Sequence, residues 1–385
     1  MRRNRLFTRI VIWAATSVMA LMCLAFAPMG KEAGTISIDG RTFASSQNEK
    51  GETWQYEAKT HTLTLSGYDG MYIDFSALED AVIEVTGTNK VTSNLNFPAI
   101  LVNGPLTITG EGSLELVVSA CHTAVYAQNG DLSIENTKII LQASGETADA
   151  GYLLMADGSV NITGANIRGA DEVKSPGGVV GARAGDVIVD AGTEISVFSA
   201  SKLISAPEGS VTIRGEGTSA ELWASDSAIY GKNNITIEGP AYVHAESKDA
   251  DNTAIFCPEG SILIRSAEVD IISSGAAMAG KKIELTDAYV SDPLEAKSRE
   301  VSSMMTMTTD EGVLSEVHIA KGIAPTPTPT PTPSPTPTPL PTPTPVPPET
   351  EGFVLTTRMI IGGVLVIVAL VAVAVILIGK IRGRE

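Results

Sequence analysis

Cysteine is nearly absent, with three in 385 residues. One of these, Cys23, lies in an N-terminal apolar run, and the remaining Cys121 and Cys257 are too few for a disulfide-built fold. Histidine is scarce too: the four, His61, His122, His244 and His318, fall at scattered registers. No GxSxG turn or metal-spaced His/Cys set occurs, which argues against a serine hydrolase or a zinc enzyme. Positive charge is in deficit. The formal charge is −17 at pH 7, and since residues 1–27 carry +4 and residues 358–385 carry +3, the stretch between them stands at −24. Such a surface repels nucleic acid and anionic lipid; it favours cations, Ca²⁺ included, or neutral and basic partners.

Both ends are set apart by composition. Arg2, Arg3, Arg5 and Arg9 precede an uncharged, largely apolar run that closes on Ala25, Phe26 and Ala27, so residues 1–27 read as a secretory signal or an uncleaved anchor helix. Residues 359–378 contain no charge and are rich in Val, Ile, Leu and Ala. They are long enough to cross a hydrocarbon core of about 30 Å as a helix. Lys380, Arg382 and Arg384 follow, so a transmembrane helix is expected over 358–379 with the basic tail 380–385 in the cytoplasm. Everything between the two ends is then extracellular, on a plasma-membrane protein that is single-pass if the signal is cleaved. Ahead of the helix, residues 323–352 are dominated by Thr-Pro repeats. That composition buries no core and favours an extended linker of about 3.1 Å per residue.

The remaining chain repeats. A turn of Gly plus a small or polar residue recurs before a short segment that reads aliphatic, any, aliphatic, polar. Its copies begin at Leu106, Leu132, Val160, Val187, Val211, Ile235, Ile262 and Ile283, separated by 26, 28, 27, 24, 24, 27 and 21 residues. Every first and third position is Ile, Leu or Val, whereas the second is polar in six of the eight. Side chains alternate across a strand, so the aliphatic face points inward and the polar face outward. A second strand precedes each turn, as at Val125 and Ile229, and a third follows, as at Leu114 and Ile195. Three short strands per repeat predict an all-β fold, a right-handed single-stranded parallel β-helix over 61–322. Weaker copies at Leu63 and Ala81 bring the expectation to about ten coils. Residues 34–60, with Phe43, Trp54 and Tyr56, are expected to cap the first coil. A Greek-key sandwich also makes short strands, but does not explain one face pattern returning at one offset.

The run Trp54, Gln55, Tyr56, Glu57 and His61, Thr62, Leu63, Thr64, Leu65, followed by Gly87, Thr88, Asn89 and by Leu106 to Gly112, resembles a known group. These are β-helical, often Thr-Pro-stalked surface proteins of Gram-positive bacteria labelled carbohydrate-binding domain proteins. The resemblance spans most of residues 35–320 and implies glycan binding, but its motifs are turns and strands and assign no site.

Two candidate sites follow from the residues themselves. Tyr126, Tyr230 and Phe256 recur at one outward register, and an exposed aromatic column is what sugar faces stack upon; cap or groove packing is the alternative. Asp249, Asp251 and Asn252 offer oxygen ligands for Ca²⁺ without the EF-hand glycine and terminal glutamate, a solvated acidic loop being the other reading. No other cofactor is implied. Three functions remain: a non-catalytic glycan-binding or adhesive domain, a purely structural display or envelope-interaction module, and a polysaccharide lyase or hydrolase by analogy with other β-helices. The first is preferred, with polysaccharide or envelope glycan as partner. The fourth position of the repeat reads Asp190, Arg214, Glu238, Arg265 over four successive copies, so alternating charges should stack in one outward file.

Overall fold

The computed structural model describes residues 34–325, apart from 120–122, 145–150, 171–172, 174–176, 200 and 250. The signal, the transmembrane run, nearly all of the linker and Cys121 therefore lie outside the described residues. The chain divides into two compact units, Met1–Thr326 and Pro327–Glu385, and all the described residues belong to the first. Among them there is no helix long and apolar enough to cross a membrane.

The described residues form an all-β solenoid. Each coil contributes three strands, for example Ile204–Ala206, Val211–Arg214 and Ser219–Ala224, which pair in parallel with their counterparts in the coils before and after. The repeat copies fall into one ladder: Leu106 faces Leu132, then Val160, Val187, Val211, Ile235, Ile262 and Ile283. Parallel in-register pairing of this kind rules out the sandwich. About eight coils are complete. The ten expected fall short because the end copies do not close. Leu63 lies on Thr62–Ser66, which pairs antiparallel with Trp54–Glu57 on its outer side. After Ile283, the strand Ala288–Asp292 pairs antiparallel with Glu316–Lys321 and does not continue the parallel stack.

The interior follows from the alternation. From Leu106 to Ile264 the first and third repeat positions are at most 1 % exposed, and each such aliphatic side chain stabilises the fold by about 1.5 to 3 kcal/mol when fully buried. Ile283 and Leu285, in the last copy, are only half-buried. At the other end Phe43, Trp54, Tyr56 and Phe75 make a chain of ring contacts with centroids 5.7 to 6.0 Å apart; this covers the first coil.

The Gly turns have a physical reason. A β-carbon on Gly104 would stand 1.9 Å from the Glu79 carbonyl oxygen, on Gly130 2.2 Å from Gly104, and on Gly209 2.0 Å from the Gly185 carbonyl oxygen. Successive backbones touch at this corner, so only glycine fits. The polar residue of the motif then caps the next coil: Asp131 Oδ1 accepts from the Ser159 N–H at 2.7 Å, and Asp186 Oδ1 from the Ser210 N–H at 2.7 Å.

The outward charge file forms two ion pairs, Arg214 to Asp190 at 2.9 Å and Arg265 to Glu238 at 3.5 Å. The Ala191 N–H holds the Asp190 carboxyl below its ordinary value; burial opposes this and Arg214 adds to it. A depressed carboxyl contributes stability above the unfolded value of about 3.9 and loses it as pH falls through the folded value. Exposed pairs are worth about 0.2 to 1 kcal/mol, so Arg214→Ala should cost little. Arg214→Glu should cost more, placing three acids in file, and added salt should narrow the gap. Equal denaturation midpoints for Arg214→Glu and the parent at low salt, above pH 5, would refute the pairing.

Candidate functional site

The first strand of each coil places its middle residue outward. In register, that file reads Leu101, Tyr126, Met155, Gly181, Ser205, Tyr230, Phe256. The three aromatics read from the sequence therefore share one file, but Tyr126 is separated from the other two by three coils, whose residues in that file, Met155, Gly181 and Ser205, carry no ring.

Tyr152 fills that gap, and it was not among the residues the sequence picked out. It begins the strand Tyr152–Ala156 opposite Gly178, and its ring lies across the next coil. A β-carbon on Gly181 would stand 2.1 Å from Tyr152 Cγ, and one on Gly178 would stand 2.8 Å from the ring. Two glycines form the bed on which the ring rests. Its hydroxyl donates to Ser205 Oγ at 2.9 Å, one coil further on. The signal lay in Gly178–Ala182, GVVGA, where small residues occupy an outward register. Tyr126, Tyr152, Tyr230 and Phe256 together form a half-buried aromatic strip along the stacking direction.

Polar groups hold the strip. At one end Tyr126 donates to Asp157 Oδ1 at 2.9 Å, Arg183 donates to the same carboxylate at 3.0 Å and to the Tyr126 hydroxyl at 3.2 Å, and its guanidinium lies 5.8 Å from the ring centroid. At the other end Lys202 Nζ stands 5.0 Å from the centroid of Tyr230 and 3.7 Å from Asp226, while Tyr230 and Phe256 meet at 5.8 Å between centroids. Burial pushes the Tyr126 phenol up to about 12, with Arg183 opposing and Asp157 adding, and burial likewise raises Tyr152 and Tyr230. The phenols stay protonated at neutral pH. The strip offers flat apolar faces edged by fixed donors and acceptors, which suits a hydroxyl-rich ligand with an apolar ring face.

Asp249 and Asp251 are exposed at a bend, and Asn252 turns its amide nitrogen to the Ser225 carbonyl at 3.4 Å. Among the described residues no group of three or more His, Cys, Asp or Glu side chains is placed to hold a metal ion. An arginine base of the kind β-helical lyases use would have to come from residues already engaged: Arg183 lies in the strip, Arg214 and Arg265 are in the charge file, and Arg168 reaches Glu194 at 3.5 Å.

A family model described as "Carbohydrate-binding domain-containing protein" matches residues 58–287, which takes in the whole of the strip. No curated protein and no solved structure matches the chain.

Proposed function

Because the chain belongs to the carbohydrate-binding domain-containing proteins, with more than half of its length matched, we propose that it is a non-catalytic glycan-binding protein whose ligand stacks on Tyr126, Tyr152, Tyr230 and Phe256. The observation that carries this is the Tyr152 ring resting on Gly178 and Gly181. One strand, Gly178–Ala182, gives up two side chains so that an aromatic face can lie flat and half-exposed between Tyr126 and Tyr230. With −24 on the stretch between the ends, the ligand is a neutral glycan in preference to a polyuronate. Residues 1–27 deliver the domain, 323–352 hold it off the surface, and 358–379 anchor it in the plasma membrane with the solenoid outside. The bend at Asp249, Asp251 and Asn252 is kept as the place where Ca²⁺ would act.

The test uses the full chain in an amine-oxide detergent that carries no sugar. A glycan array with and without Ca²⁺ selects ligands, and calorimetry then compares the parent with a Tyr230→Ala, Phe256→Ala double variant. Stacked aromatics contribute about 0.5 to 1.5 kcal/mol each, so a loss of roughly tenfold is expected. Unchanged affinity in a folded double variant would refute the site. Placement is tested on wall-stripped cells exposed to protease: only a small C-terminal fragment should survive, and a protected full-length chain overturns the topology.

A further inference from the structure

The third strand of each coil turns a different face outward. Its inward residues, such as Ile195 and Val197, Ala220 and Leu222, and Val243 and Ala245, are buried. Its outward residues form two adjoining files. In one, Phe198 pairs in register with Trp223, and Trp223 with Glu246. In the other, Ser196, Glu221, His244, Asp270 and His318 follow one another.

An aromatic pair thus lies directly beside a file of hydrogen-bonding groups, both running along the stacking direction. Phe198 and Trp223 are half-buried, on an outward face where earlier coils have Thr92, Val117 and Gln142 and no ring. Trp54, the other tryptophan among the described residues, is 6 % exposed and belongs to the end cap, so Trp223 is not there to fill the core. The Trp223 ring lies 5.6 Å from that of His244. Lys248 holds its ammonium 4.5 Å from the Phe198 centroid and 3.8 Å from Glu246. In the polar file Tyr242 donates to Asp270 Oδ2 at 2.9 Å, His318 contacts the same carboxylate, and Ser196 donates to Glu221 at 3.3 Å.

We propose that this face is a second glycan-contact strip, centred on Trp223 and Phe198, which takes an uncharged pyranose chain lying along the stacking direction. It rests on the glycan-binding reading given above and adds a site on a separate column of strands. Strands about 4.8 Å apart from coil to coil place the ring-bearing residues at a spacing close to one pyranose unit. The rings receive the apolar C–H faces of successive sugars, while the Glu221 and Asp270 carboxylates accept from the hydroxyls and His244 accepts or donates. Carboxylates of Glu221, Glu246 and Asp270 on so acidic a surface exclude uronates and sulfated sugars, and exposed hydroxyls match the mixed donors and acceptors of the file. With two strips on different columns, one molecule grips two glycan segments.

The experiment uses the full chain in the same detergent with four neutral probes: cellohexaose, chitohexaose, xylohexaose and mannohexaose. The expected result is that a hexaose shifts or quenches tryptophan emission, that Trp223→Phe removes this optical signal, and that calorimetric stoichiometry falls from two to one in Trp223→Ala. The variant lacking Tyr230 and Phe256 should keep the emission change. Phe198→Leu, a milder substitution, should lower affinity at this strip if Trp223→Ala fails to fold. Binding that is lost entirely with Tyr230 and Phe256 and leaves emission unmoved would overturn the second strip alone. Failure of every probe to bind the parent would overturn both readings. A self-associated chain that Trp223→Ala makes monomeric would assign the face to a second copy and overturn the glycan strip.

Discussion

Gly209→Ala is expected to lower stability by about 3 kcal/mol or more, at or beyond the upper end of overpacking costs. The added β-carbon would stand 2.0 Å from the Gly185 carbonyl oxygen and 2.6 Å from its carbonyl carbon. Both are backbone atoms, so no rotamer change relieves the contact, and the two coils must part at this corner. Three bonds cluster there: Gly209 N–H to the Ala206 carbonyl at 3.2 Å, Asn233 N–H to the Gly209 carbonyl at 3.0 Å, and Ser210 N–H to Asp186 Oδ1 at 2.7 Å. Separation weakens the Ser210 bond directly, and the shift of Gly209 strains the other two, one within its own coil and one to the next. Gly67→Ala is the control, because Gly67 has φ of 72° and nothing within 4 Å of a new β-carbon; it should cost only the left-handed penalty of about 1 to 2 kcal/mol. Urea denaturation gives the ordering. In a solenoid each coil touches only its neighbours, so hydrogen exchange in Gly209→Ala should speed up first between residues 185 and 233. Equal losses for the two variants would mean that the corner is not a backbone contact.

That corner also explains what could be read from the chain in advance. A buried position in a coil accepts only aliphatic side chains and a corner of touching backbones accepts only glycine, so both recur at each coil and show as a repeat in one dimension. Leu106 through Ile283 are legible for this reason, and so is the common file of Tyr126, Tyr230 and Phe256. The number of closed coils was less legible, because it depends on whether an end strand finds a parallel neighbour. Asp69–Met71 does find one in Thr88–Ser93, whereas Ala288–Asp292 meets the returning Glu316–Lys321. Tyr152 was missed because its place depends on Gly178 and Gly181, which are remote in sequence and adjacent only after the coils stack. Phe198 and Trp223 were missed for a related reason: their strand follows loops of variable length, so aligning the chain on the second strand leaves the third out of register.

Gly181→Ala should show how far the strip depends on that stacking. Its β-carbon would stand 2.1 Å from Tyr152 Cγ and 2.2 Å from Cδ2, near the root of the side chain, where bending the far end of the ring does not help. The ring must rotate off the sheet and give up its 2.9 Å bond to Ser205. Overpacking of this kind costs about 1 to 3 kcal/mol, and a hydrogen bond is worth about 0.5 to 1.5 kcal/mol. A lifted ring also breaks the continuity between Tyr126 and Tyr230, so glycan affinity should fall about fivefold, as for loss of one stacked aromatic. Tyr152→Phe keeps the ring flat and loses only the bond to Ser205, so its affinity should stay near the parent's. The two sites are in contact and their effects should not add. Once Tyr152 is alanine there is no ring to displace, and a further Gly181→Ala should change stability and binding little. If Gly181→Ala costs as much in the Tyr152→Ala background as in the parent, the clash lies elsewhere in the coil; if it leaves affinity at the parent's value, the ligand does not use the Tyr152 face.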